Sequence, residues 1–105
     1  MTMHAMNVID CFTLAVDGAT SLASAVPPLI DGKMSGKTVY RMIISVTGDD
    51  VAWRADGTAP TAGTCHVISN GGSLSLTGAN YKSVIKNMQF IKVSGTATIF
   101  GTAFD

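Results

Sequence analysis

From Thr38 to Thr47 the chain alternates, with Tyr40, Met42, Ile44 and Val46 on one side and Val39, Arg41, Ile43 and Ser45 on the other. A period of two marks a strand, and the apolar members of the second side predict a strand partly covered on both faces. The same rhythm returns near the end, where Thr96, Thr98, Phe100, Thr102 and Phe104 alternate with Ala97, Ile99, Gly101 and Ala103. Val8, Phe12, Leu14 and Val16 share one side of a first strand that Asp10 interrupts. Between these lies the densest turn chemistry. A strand from Val51 ends in Trp53 and Arg54, and the chain reverses at Asp56-Gly57, with Pro60 beyond. It runs on from Cys65 to Ser69, reverses at Asn70-Gly71-Gly72 and continues from Ser73 to Thr77. Glycine enters positive φ freely and Asp and Asn tolerate it, so the stretch reads as two consecutive hairpins.

One segment departs from the period of two. Tyr81, Val84, Ile85 and Met88 fall at i, i+3, i+4 and i+7, with Asn80 in the place of an N-cap, and predict one short helix near residues 80–87. Met88 to Val93 and Thr96 to Phe104 then form closing strands joined at Ser94-Gly95. Short strands with turn signals every eight to twelve residues define the expected class. It is an all-β, antiparallel β-sandwich or jelly roll of seven to eight short strands, in one domain over residues 1–105.

Two segments lack this regularity. Residues 1–6 are Met-rich without periodicity and read as a flexible arm. Residues 18–37 form a long irregular connection in which Thr20 to Val26 make at most a short strand. Pro27 and Pro28, lacking amide donors, belong to an edge or a loop. Loops of this length tend to carry contacts. By elimination the partner-contact candidates are Met1, Met3 and Met6 in the arm, Pro27, Pro28, Leu29, Ile30 and Met34 in the connection, and Arg54 on the outward side of its strand. Trp53, facing the other way, is expected to be a core anchor.

Charge narrows the function classes. Only 13% of the 105 residues are charged, about half the usual share; seven basic side chains balance seven aspartates, and Glu is absent. Zero net charge without a basic cluster argues against nucleic acid, because neutralising phosphates needs a surplus of Lys and Arg. A standard signal peptide and an apolar run near 18 residues are both missing, so neither export nor a membrane span is expected. Cys11 and Cys65 are then read as two reduced, buried thiols. A neutral surface poor in charge favours association, most simply with copies of the same chain.

Catalytic and metal chemistry find little support in the residues. Asp17, Asp31 and Asp56 precede glycine and Asp49-Asp50 follows Gly48, so turn formation accounts for five of the seven aspartates, and no calcium-loop rhythm is present. Cys65 and His66, adjacent on a strand, point to opposite faces and cannot readily share an ion. Gly36-Lys37-Thr38 imitates the end of a phosphate loop, but the glycine five positions earlier is missing, Asp31 standing there, and a strand follows. The expectation is a protein without enzymatic activity, cofactor or metal.

The run Val51-Ala52-Trp53-Arg54-Ala55-Asp56-Gly57-Thr58-Ala59-Pro60-Thr61, followed by Gly71-Gly72-Ser73-Leu74, Met88-Gln89-Phe90-Ile91 and Gly95-Thr96-Ala97-Thr98, resembles small β-sandwich and jelly-roll virion proteins of tailed bacteriophages. The likeness covers residues 39–104 or so. It implies a capsid decoration (cement) protein, made in the host cytoplasm and carried on the capsid surface. Its partner would be the major capsid protein, and a homo-oligomer, a trimer above all, would be its form. A tail, connector or fibre component of the same virion is the nearest alternative. The shorter Asp56-Gly57-Thr58-Ala59-Pro60-Thr61 also looks like a turn of β modules appended to carbohydrate enzymes, with Thr58 in place of its Ser. That likeness implies glycan stacking on Trp53, Tyr40 or Tyr81.

Overall fold

The computed structural model describes residues 8–61, 66–76 and 82–105. Its strands are β1 (Val8–Val16), β2 (Thr20–Ser21), β3 (Lys33–Met34), β4 (Lys37–Thr38), β5 (Arg41–Thr47), β6 (Val51–Arg54), β7 (His66–Ile68), β8 (Ser73–Leu76), β9 (Gln89–Lys92) and β10 (Ala97–Phe104). A 3₁₀ turn covers Leu22–Ser24, and helix α1 covers Lys82–Lys86. Eight strands form two antiparallel four-stranded sheets, ordered β1-β10-β5-β8 and β2-β9-β6-β7, while β3 and β4 form a separate two-stranded piece.

The pairing is nested. β1 lies on β10, β2 on β9, β5 on β8 and β6 on β7. The chain therefore behaves as one long hairpin, and rolling it up joins β10 to β5 and β9 to β6. That strand order is a jelly roll, the more specific of the two expected architectures.

Side-chain size decides which face of each strand turns inward. Phe12, Leu14 and Val16 from β1, Met42, Ile44 and Val46 from β5, and Ala97, Ile99 and Ala103 from β10 meet Val51, Ile68 and Phe90 of the other sheet in one core. On β10 the buried set is the smaller one. Gly101 shows why, because a Cβ there would lie 2.2 Å from Cζ of Phe12, whose ring crosses the strand. An aromatic from the neighbouring strand covers the glycine, and Phe100 is left to point outward. Helix α1 lies against β5, with Ile85 and the following Met88 buried. This bears out the helical spacing, of which Tyr81 and Asn80 lie outside the described residues.

Three expectations change. The reversal at Asn70-Gly71-Gly72 closes no hairpin, because β8 pairs with β5 in the opposite sheet. Gly71 N–H donates to Val46 O at 2.8 Å and Val46 N–H to Gly72 O at 3.1 Å, so β5 takes the bonds a hairpin would have used. The 18–37 connection is short structured pieces, with Thr20–Ser21 paired to β9 and Leu22, Ala25, Leu29 and Met34 all buried. Ile43, expected to be partly covered, is exposed on the outside of β5.

The outer edge of β1 is closed to further strands. Thr13 and Val26 exchange backbone hydrogen bonds of 3.0 and 2.9 Å, and the chain leaves Val26 through Pro27 and Pro28. Cys11 N–H donates to Asp10 Oδ1 at 2.8 Å, and the register slips between Val8 and Asp10. A bulge, a carboxylate and prolines are devices that stop edge-to-edge pairing.

Candidate interaction face

The residues chosen from sequence do not converge. Met1, Met3 and Met6 lie outside the described residues. Leu29 and Met34 are core side chains, 3% and 1% exposed, so neither is available to a partner, and their burial holds the connection down. Pro28 and Ile30 are exposed and Pro27 is half-buried. Arg54 turns its guanidinium onto the Asp56 carboxylate in a surface ion pair. Trp53 pairs in register with the buried Phe90 and with His66, so its side chain is on the inner face of its sheet. It sits at the rim, one residue from the end of β6. It is therefore half-buried against the core and beside the exposed His66, with ring centres 5.1 Å apart and the planes tilted by 31°, rather than a central anchor. Tyr40 lies just ahead of β5, its N–H donating to Phe104 O at 3.0 Å, and its side chain is exposed.

The aspartates do the turn work expected of them. Asp49 accepts hydrogen bonds from Ser94 Oγ, Ser94 N–H and Asp50 N–H, tying the β5–β6 turn to the β9–β10 turn. Asp50 accepts from Asn70 N–H at 2.7 Å. The Ser94 hydroxyl, then the Asp50 amide, hold the Asp49 carboxyl below its ordinary value of 3.8. The Lys92 ammonium does the same for Asp17, and the Arg54 guanidinium followed by the Thr58 amide for Asp56. A carboxyl whose folded pKa is depressed contributes stability above its unfolded pKa and loses it as pH falls through the folded value. Thermal midpoints are thus expected to hold between pH 7 and about pH 5 and to drop below about pH 4. Asp49→Asn is expected to shrink that acid-side drop in calorimetry; an undiminished drop would remove Asp49 as a cause. Among the described residues, no three His, Cys, Asp or Glu side chains gather into a metal-binding group.

What the fold does assemble is the outer face of the β1-β10-β5-β8 sheet. Register sets out two central rows: Thr13, Phe100, Ser45 and Ser73, then Cys11, Thr102, Ile43 and Ser75. Val26 extends the first row beyond Thr13. Ala15, Thr98 and Thr47 flank the rows on one side, and Val8, Phe104 and Arg41 on the other. The two rows contain no charge. Hydroxyls surround apolar side chains that stand well out of the surface, Val26 at 74%, Phe100 at 47% and Ile43 at 41% exposure. Between Phe100 and Ile43 is a shallow depression of about 310 Å³, lined also by Cys11, Thr13, Ser45 and Thr102.

Cys11, expected to be buried, is a free thiol on this face, with Sγ 3.7 Å from Thr102 Oγ1. Asp10 obscures the alternation of β1, and both sides of β10 carry apolar residues, which hides this face in the sequence. The outward Thr and Phe set of β10 was its one signal in the sequence.

No protein-family model, curated protein or solved structure matches this chain.

Proposed function

We propose that this chain is a non-enzymatic virion structural protein of a tailed bacteriophage, a capsid decoration (cement) protein that binds between major capsid subunits. The observation that carries this reading is the neutral, hydroxyl-rich outer sheet face with Phe100 and Ile43 standing out of it. Jelly rolls serve as viral coat domains as well as lectins, so the strand order is compatible with the reading without selecting it. A docking surface without charge removes apolar area from water at every contact and desolvates few ions. Repeated over many copies, modest contacts of this kind brace a shell against internal pressure. Self-association belongs to the same proposal, with a trimer the form implied by the resemblance.

Mass spectrometry of purified virions of the phage encoding the chain is expected to find it in many copies per head. Heads lacking it are expected to open at lower temperature and to regain stability when the purified protein is added. Its absence from virions would overturn the proposal.

A glycan-binding module is the second reading, favoured by the part of Trp53 that remains in solvent beside His66. Tryptophan emission that stays constant through glycan titrations would remove it.

A further inference from the structure

We infer that the outer face of the β1-β10-β5-β8 sheet is where two copies of this chain meet, sheet against sheet about a two-fold axis. The inference rests on the self-association part of the proposal above, with a two-fold pair in place of the trimer and a second copy, rather than capsid subunits, on this face. Three observations choose a second copy as the occupant.

The first is charge. Both central rows are neutral, and Arg41 stands at one end of the face. Two identical faces can therefore approach without burying like charges at their centre.

The second is shape. In an isologous contact each protrusion must find a recess on the same surface. A two-fold axis lying in the interface, across the strands and between the levels of Phe100 and Thr102, reverses the order of the rows. It sets Phe100 of each copy over Thr102 of the other, between the Cys11 and Ile43 that flank it in register, which is the depression already described. The same axis carries Arg41 to the level of the partner's Thr47, leaving the two guanidinium groups at opposite ends.

The third is area. Strands of nine, eight, seven and four residues, at roughly 3.4 Å rise and about 4.8 Å spacing, cover roughly 450 Å² of flat sheet. Roughened by side chains, that approaches the ~600 Å² per partner at the lower end of specific interfaces. Association by the β1 edge is blocked by the bulge, Asp10 and the prolines, so on that side of the sheet the face, and not the edge, is open to a partner.

Light scattering behind size exclusion, under reducing conditions from 10 μM to 1 mM protein, tests this. The wild-type mass is expected to rise toward twice 10.9 kDa. Phe100→Asp, placing a charge at the centre of the face, is expected to weaken the dimer at least tenfold and return the mass to one chain. Phe100→Thr with Ile43→Thr, which keeps strand-forming residues at both sites, is expected to do the same if the charged variant fails to fold. Ile30→Asp, exposed on the connection, is expected to change nothing. Alkylation of Cys11, followed by peptide mapping, should slow as wild-type concentration rises and stay fast in Phe100→Asp. A monomer at every concentration overturns the inference. So does an oligomer, trimer included, that both face variants leave intact. In either case, finding the chain in virions would keep the capsid proposal standing, with this face left for capsid subunits.

Discussion

Phe90→Ala is expected to cost the fold about 3–5 kcal/mol, the range for deleting a fully buried phenyl ring. Phe90 has no exposed surface and sits in β9 between Thr20 of β2 and Trp53 of β6. Among the described residues it is the largest of the fully buried side chains. Alanine would leave a cavity with sheet backbone on either side, which cannot move in to fill it. A chain of this length has roughly 5–15 kcal/mol of stability in all, so the loss is a large part of the total. In urea the midpoint should fall by roughly 2 M. Phe100→Ala supplies the control, because its ring points outward and is 47% exposed. In dilute protein it should cost under about 1 kcal/mol. Equal losses from the two substitutions would show that the inward and outward sides of these strands have been assigned wrongly.

Gly48→Ala is expected to be the most damaging glycine replacement in the turns. Gly48 has φ +93°, and a Cβ there would stand 2.3 Å from the carbonyl oxygen of Thr96, a backbone atom at the start of β10. Two costs add, the left-handed conformation forced on a side chain and the displacement of a strand that lies inside its sheet. Together they come to about 2–3 kcal/mol, or roughly 10–15 °C in thermal midpoint. Gly57 separates the two. It has φ +80°, but a Cβ there would meet no atom within 4 Å. Gly57→Ala should therefore show only the conformational cost, about 1 kcal/mol and roughly 5 °C. Matching shifts for the two variants would mean that the Thr96 contact contributes nothing.

Most of the strands could be read because their causes are local. The alternation of Met42, Ile44 and Val46 marks β5. The glycines at 48, 57, 71 and 95, all at positive φ, punctuate the chain where turn chemistry predicted. What was not legible depends on residues far apart in sequence. Asn70-Gly71-Gly72 has the chemistry of a hairpin turn, yet its bonds go to Val46, and that long-range contact sends β8 to the opposite sheet. Leu22, Ala25, Leu29 and Met34 anchor the 18–37 connection at spacings that follow no period, so a search for alternation passes over them.

The candidate face shows the same division. The alternation is weakest in the 18–37 connection, yet Leu29 and Met34 there are core side chains. The exposed apolar groups lie instead on β5 and β10, two of the most regular strands. On β10 both sides are apolar, and only the ring of Phe12 above Gly101 settles which one turns outward. A contact between residues 89 positions apart is invisible to a window of ten.

The nested pairing also governs when this protein can begin to exist as a folded object. β10 lies between β1 and β5, so β1, once it has left the ribosome, has no partner strand in its sheet until residues 97–104 have followed it out. Until then Phe12, Leu14 and Val16 have only incomplete cover and remain a hazard for neighbouring nascent chains. Folding thereby waits for residues 97–104, and a chain that stops short of residue 97 lacks the strand that joins β1 to β5.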